Sequence, residues 1–328
     1  MPDRPLVSVL VPAYQSEHLL VDAVESALVQ TYADVEVVIV DDGSADGTFD
    51  VARRFEASYP DRIRAFRQEN AGACAARNRA FAESRGAYVK FLDADDALAP
   101  DAVATQVSAL AGEPDTVIAY GDLVSCDADL VPKPGPVRPQ DDASGVFSDD
   151  VAERVAWLLG HNIQTARPLH PRKLVALVGG FDETLGRAQE YDFHLRLALA
   201  GGRFKRVPGA AVLLRHHSSP TRITNTGGAS RFRKHAPARE RIREAFGDDL
   251  PRPIRRALAQ IDWRAVRTHV QAGRLEAANS KADDARRLDP GIEFAGPIRV
   301  LYRSLGPVRT ELAYMKAKLL WQRASRAS

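Results

Sequence analysis

Over the first hundred residues, short apolar runs alternate with segments of helical period, and each run ends in polar residues. Leu6 to Val11 (LVSVLV) reads as a buried strand closed by Pro12. Val35 to Val40 (VEVVIV) is a second, and it leads directly into Asp41-Asp42-Gly43-Ser44. Between them, Glu17 to Gln30 sets Leu20, Val24, Ala27 and Leu28 at helical spacing. Thr48 to Tyr59 and Ala73 to Ser84 are expected helices, Arg62 to Arg67 and Tyr88 to Leu92 expected strands, the last ending at Asp93. Strands alternating with helices of roughly 10–15 residues imply βαβ units and a mostly parallel, Rossmann-like sheet flanked by helices. Ligands of such sheets bind beyond the C-terminal strand ends. Pro12-Ala13-Tyr14, Asp41-Asp42 and Asp93-Ala94-Asp95-Asp96 all fall there.

Further along the pattern weakens. Residues 132–145 read as a Pro-, Asp- and Gly-containing loop, with short helices at Asp150 to Leu159 and Arg172 to Val178. Glu190 to Ala200 is helical, Pro208 to Arg215 strand-like, and Ser218 to His235 a polar connection. Beyond Pro251 the chain reads as all-helical. Arg255 to Gln271 and Leu275 to Leu288 flank Gly273 as one tetratricopeptide-like hairpin, and Val308 to Arg323 forms a terminal helix. The division expected is 1–235, an α/β domain, and 236–328, a helical extension.

Composition excludes several classes. With 45% apolar and 27% charged residues in 328, the chain has the composition of a globular protein with a full core. Cys74 and Cys126 are too few for a zinc cluster, and neither belongs to a CxxC pair. No apolar stretch approaches the ~18 residues of a membrane span, and the N-terminus lacks the features of a signal peptide. A reducing, cytoplasmic setting is expected. The near-balance of 45 basic and 43 acidic residues hides an asymmetry. Residues 251–328 carry 16 basic and 7 acidic side chains, and residues 1–250 carry 29 and 36. An acidic body is not a nucleic-acid-binding core, so no nucleic-acid partner is expected.

Two acidic segments carry chemistry. Asp42 to Gly47 resembles the start of a calcium loop, but the register needs Glu at position 53, which is Arg53. A dinucleotide fold would place GxGxxG after the first strand, where PAYQSE stands. What remains is a carboxylate at a strand end, suited to accept hydrogen bonds from a base or ribose hydroxyl. In Phe91-Leu92-Asp93-Ala94-Asp95-Asp96, an extended strand end turns Asp93 and Asp95 to one side. Hard oxygen ligands favour Mg²⁺ or Mn²⁺. The alternative role is capping of the following helix by Asp95 or Asp96.

Taken in order, six motifs resemble family 2 glycosyltransferases of the GT-A fold across the first ~220 residues. They are the opening strand with Pro12-Ala13-Tyr14, the DDGSxDGT loop, Asn70-x-Gly72-x-x-x-Ala76-Arg77-Asn78, FLDADD, Gly179-Gly180-Phe181-Asp182-Glu183, and Gln189-Glu190-Tyr191-Asp192-Phe193. The resemblance implies a nucleotide-sugar donor, a divalent metal (Mn²⁺ or Mg²⁺) and inversion at the anomeric carbon. By position, Pro12, Tyr14 and Asp41 would cradle base and ribose, and Arg77 would reach the base or diphosphate. Asp93 would bind ribose or metal, and Asp95 the metal. The family's later acidic motif is usually Glu-Asp, with the second acid as catalytic base. Gln189-Glu190 stands there, which makes Glu190 the base candidate and leaves Gln189 unable to serve. Asp192 is the neighbouring alternative, about 200° away around a helix. Leu214-Arg215-His216-His217 resembles the family's late R-x-H segment, so His217 is a candidate metal or diphosphate ligand, with His216 beside it as the alternative. Arg222, after Thr221, could close over the diphosphate.

The resemblance implies a saccharide or lipid-linked acceptor in bacterial polysaccharide or glycolipid assembly, with a UDP-sugar the preferred donor. Residues 297–328 hold seven basic groups and one acid, near Leu319, Leu320 and Trp321. That composition suits peripheral contact with anionic lipid at the inner membrane face; the alternative is a helix packed on the body. A homo-oligomer is a further expectation. The rivals are a sugar nucleotidylyltransferase, whose Gly-rich first loop is missing, and a non-enzymatic glycosyltransferase-like module.

Overall fold

β1 (Val7–Ala13) and β2 (Val35–Asp41) are neighbouring parallel strands of the main sheet, both rich in apolar, β-branched residues. All seven residues of β2 are buried, as a strand covered on both faces requires. The computed structural model describes residues 4–133, 147–209, 212–217, 235–290, 306 and 308–313. α1 (Leu20–Leu28) lies between them and buries Leu20, Ala23, Val24 and Ala27, the i, i+3, i+4, i+7 stripe of an amphipathic helix. α2 (Thr48–Ser58), β3 (Ile63–Arg67), α3 (Ala73–Glu83) and β4 (Tyr88–Phe91) follow in the expected alternation.

The seven-stranded sheet has the order β3-β2-β1-β4-β8-β6-β9. β6 is Val117–Tyr120, β8 Pro168–Pro171 and β9 Arg203–Arg206. β8 alone runs antiparallel, pairing with both β4 and β6. A second sheet of order β5-β10-β7 joins Ala97–Leu98, Val212–Arg215 and Leu123–Cys126. The fold is therefore mixed α/β with a mostly parallel central sheet. Between β1 and β4 the strand order reverses, and a crevice opens at their C-terminal ends.

α4 (Ala102–Leu110), α5 (Val151–Gly160), α6 (Arg172–Leu177) and α7 (Gln189–Leu199) follow in chain order. α8 is His235–Phe246, α9 Arg252–Gln271 and α10 Leu275–Leu288. The chain separates into two compact units. One comprises residues 1–154 and 162–241, the other residues 155–161 and 242–328. Within the second unit, α9 and α10 pack as a hairpin around Gly273, whose φ of +71° suits glycine. Val308 and Leu312 pack with Val266, Val270, Ala278 and Ala282, and Arg267 pairs with Glu311 at 3.0 Å. Residues 314–328, which hold the basic, Trp-bearing part of the tail, lie outside the described residues, as does most of the 132–145 loop. Cys74 and Cys126 are both buried free thiols.

Candidate active site

Gly43 lets β2 turn abruptly at its end. Its φ is +74°, and a Cβ there would lie 2.8 Å from the Asn70 nitrogen. The turn separates the two acids before it. Asp41 is fully buried, accepts the Ser44 N–H at 3.3 Å and pairs with Arg67 at 3.2 Å. Asp42 accepts the N–H groups of Ala71 at 2.9 Å and Gly72 at 2.8 Å, which fixes the entry into α3. Asp42, and not Asp41, lines the crevice. Neighbouring side chains leave a strand on opposite faces, and only one of the two faces the crevice.

α3 then supplies a cation and a clamp. Arg77 is buried, with Nη2 2.7 Å from Asp93 Oδ1 and Nη1 2.8 Å from Gln189 Oε1. Its guanidinium carbon lies 5.2 Å from the centre of the Phe181 ring. Burial works against its charge, but the Asp93 carboxylate more than offsets this and raises its pKa. Asn78, the next residue, holds the Gly179–Glu183 loop. It accepts the Phe181 N–H at 2.8 Å and donates to the Phe181 carbonyl at 2.9 Å and to Glu183 at 2.8 Å. Gly180 is needed here, since a Cβ would come within 2.4 Å of Asn78 Oδ1.

The third acidic segment follows β4. Asp93, Asp95 and Asp96 each offer a carboxylate oxygen, all within 4.8 Å of one another. Asp96 is buried and accepts the Arg215 N–H at 3.0 Å and Gln164 at 3.4 Å. Asp95 Oδ2 lies 3.0 Å from His217 Nε2. Arg215 ties β10 to this loop, donating to the Asp95 carbonyl at 2.9 Å and to Asp22 at 2.5 Å. Two residues later, His217 reaches the acids, while His216 is exposed and does not line the crevice. This oxygen-rich set with one imidazole fits a hard divalent cation.

α7 completes the wall. It starts from Ala188, whose φ is +58°, and carries acids in its first turn, where the helix dipole favours them. Glu190 accepts a hydrogen bond from Asn162 Nδ2 at 2.9 Å. Asp192 points elsewhere, with its two oxygens taken by Arg196 at 2.8 Å and Arg241 at 2.6 Å. Asp192 does not line the crevice, whereas Glu190 does.

The resulting crevice encloses about 500 Å³. Pro12, Tyr14, Arg77, Asp93, Asp95, Glu190 and His217 all line it. Tyr14 is 44% exposed, a flat apolar surface presented to the opening. Arg222 and Thr221 lie outside the described residues. Asp42, Asn162, Gln164 and Gln189 were not singled out as site residues. The amide oxygen of Gln189 serves instead as an acceptor for Arg77. Cys74, near Arg77, has its thiol pushed up to about 11 by burial and is no nucleophile.

Known proteins share the sequence pattern and the fold. Residues 8–136 match the model of glycosyl transferase family 2. Chondroitin synthase of Escherichia coli is 33% identical over 202 residues, covering 60% of this chain and 27% of that protein. The chain spans 22% to 31% of the length of this and the other first-matched curated relatives. S. aureus TarS 1-349, solved with UDP-GlcNAc, superposes with a TM-score of 0.58 at 17% identity, covering 87% of this chain and 90% of that one. The mannosyltransferase PcManGT of Pyrobaculum calidifontis, solved with GDP-Man and Mn²⁺, gives 0.57 at 23% identity, covering 98% and 88%. At these identities the structural likeness is one of fold, and the fold is GT-A.

Proposed function

Residues 8–136 match glycosyl transferase family 2, and from that premise we propose that the chain is an inverting, divalent-metal-assisted glycosyltransferase. It would move a sugar from a nucleoside diphosphate, UDP by preference, to a hydroxyl of a growing polysaccharide or lipid-linked saccharide. The observation that carries this reading is the convergence of Asp93, Asp95, His217, Arg77 and Glu190 on one crevice at the switch point of the sheet. Relatives that are polysaccharide synthases and fold neighbours solved with UDP-GlcNAc or with GDP-Man and Mn²⁺ support it.

In this reading Pro12 and Tyr14 form the floor for the nucleobase, and Asp42 presents an acceptor edge beside them. Asp41 acts at one remove, through Arg67 and the Ser44 turn. Asp95, Asp93 and His217 would hold Mn²⁺ or Mg²⁺, with Asp96 fixing the loop through the Arg215 N–H. Bound there, the ion supplies Lewis-acid neutralisation of the diphosphate. Arg77 contributes a further positive charge from the protein itself, already oriented by Asp93 before a ligand arrives. Glu190 takes the proton of the acceptor hydroxyl as its oxygen bonds to the anomeric carbon and the bond to the diphosphate oxygen breaks. Attack opposite the leaving group inverts the centre. Asn162 holds the Glu190 carboxylate by a neutral donor, so its charge is not spent on a cation there.

A thermal-shift screen of UDP, GDP and dTDP, each with and without Mn²⁺, tests the reading. Binding to the native state raises the melting temperature by mass action. One nucleotide should stabilise the protein, more strongly with Mn²⁺. No stabilisation by any of the three would overturn the proposal.

A further inference from the structure

Gln189 occupies the position directly before the base candidate, and its side chain is committed at both ends. Its Oε1 accepts Arg77 Nη1 at 2.8 Å, and its Nε2 donates to the Leu185 carbonyl at 3.0 Å. The second bond turns the oxygen, not the NH₂ group, toward the guanidinium. Arg77 is thus held between one carboxylate, Asp93, and one amide, and its Nε is buried without a partner among the described residues. A guanidinium between two carboxylates would be neutralised twice over. Between a carboxylate and an amide, it keeps its orientation and gives up less of its charge.

We propose that Gln189 is a positioning residue, which anchors Arg77 in the crevice without neutralising it and so keeps that charge available to a nucleoside diphosphate. The inference rests on the transferase reading above. It explains why an amide stands where an acid would give Arg77 a stronger tether. A third carboxylate beside Asp93 and Glu190 would also add negative charge where phosphate oxygens must enter.

Gln189→Glu and Gln189→Met separate anchoring from charge. Glu keeps an acceptor in place, so folding is preserved, and the melting temperature of the ligand-free protein should stay level or rise. Calorimetric titration with UDP and with GDP, in Mn²⁺, should show Gln189→Glu binding the preferred diphosphate about tenfold more weakly. Affinity for the corresponding nucleoside, uridine or guanosine, should be unchanged. Mn²⁺ alone should bind this variant at least as tightly as the parent, because an added acid attracts a cation. Gln189→Met, neutral and of similar length but without the oxygen that holds Arg77, should weaken the diphosphate by about threefold, less than Gln189→Glu does.

Wild-type diphosphate affinity in either variant, or an equal loss in both, would overturn the inference and leave the transferase reading standing. Loss of both Mn²⁺ and diphosphate binding in Gln189→Glu would mark a general collapse of the site and overturn it as well. A parent protein that binds neither UDP nor GDP would overturn the transferase reading, and this inference with it.

Discussion

Glu190 and Asp192 sit two residues apart on one helix, yet their surroundings give them unrelated work. Asp192 lies between two guanidinium groups, and Glu190 meets a neutral amide at the crevice. Glu190→Gln keeps the shape and the contact with Asn162 but cannot accept a proton. Transferase turnover is expected to fall by about a hundredfold or more, while calorimetric donor affinity stays at the parent value. His217 is a different case, because its Nε2 faces Asp95 at 3.0 Å. His217→Ala should weaken Mn²⁺ binding by roughly tenfold to a hundredfold, read by titration of the metal alone. Motif position names both residues as candidates, but what stands opposite each is set only by the fold.

α3 and the Gly179–Glu183 loop are one structural unit in all but sequence. Asn78 replaces the missing backbone partners of Phe181, and Phe181 stacks on Phe193 of α7 with ring centroids 4.2 Å apart. The Asn-x-Gly-x-x-x-Ala-Arg-Asn and Gly-Gly-Phe-Asp-Glu motifs are therefore two halves of one clamp that carries the helix of the base candidate. Asn78→Ala should destabilise the fold by about 2–3 kcal/mol, as buried peptide groups lose their partners, measured by chemical denaturation. The first seven expected elements fall within a few residues of those found, because long apolar runs and helical periodicity are local signals. β8 escaped notice because its four residues begin and end in proline, and the rules that read strands from sequence demote proline. It nonetheless lies inside the sheet, with the two prolines at its ends.

At the scale of the molecule, buried basic groups set the response to pH. Lys90 is fully buried against Gln106 and the Arg167 carbonyl. Burial, and then the Arg167 charge, push its pKa down to about 7. His194 is pushed down to about 3 by burial and Arg167, and burial beside His194 holds His170 well below its ordinary value. For each, the unfolded chain binds a proton more readily than the folded one, so stability falls as pH falls. The histidine contribution is complete above about pH 6.5 and is lost as pH falls toward 3. The lysine contribution is complete above about 10.5 and declines toward 7. Lys90→Met should remove the upper slope, at most about 1.4 kcal/mol per pH unit, in melting curves taken from pH 7 to 10, and leave the acid limb unchanged. In the second unit, the described residues 308–313 pack on the α9–α10 hairpin. Among the described residues, no helix is long and apolar enough to cross a membrane.

The sequence by itself determined the alternation of strands and helices, the placing of polar motifs at strand ends, and hence the edge of the sheet where a ligand site could form. Those are properties of neighbours along the chain, written in periodicity and in the punctuation of proline and glycine. Only the tertiary structure decided that Asp42 rather than Asp41 faces the crevice, that Asp192 is spent on arginines, and that Gln189 holds Arg77. The contacts responsible join residues 112 positions apart for Gln189 and Arg77, and 122 apart for His217 and Asp95. Such partners are chosen by the direction in which each packed element points its side chains, and no local pattern records that direction.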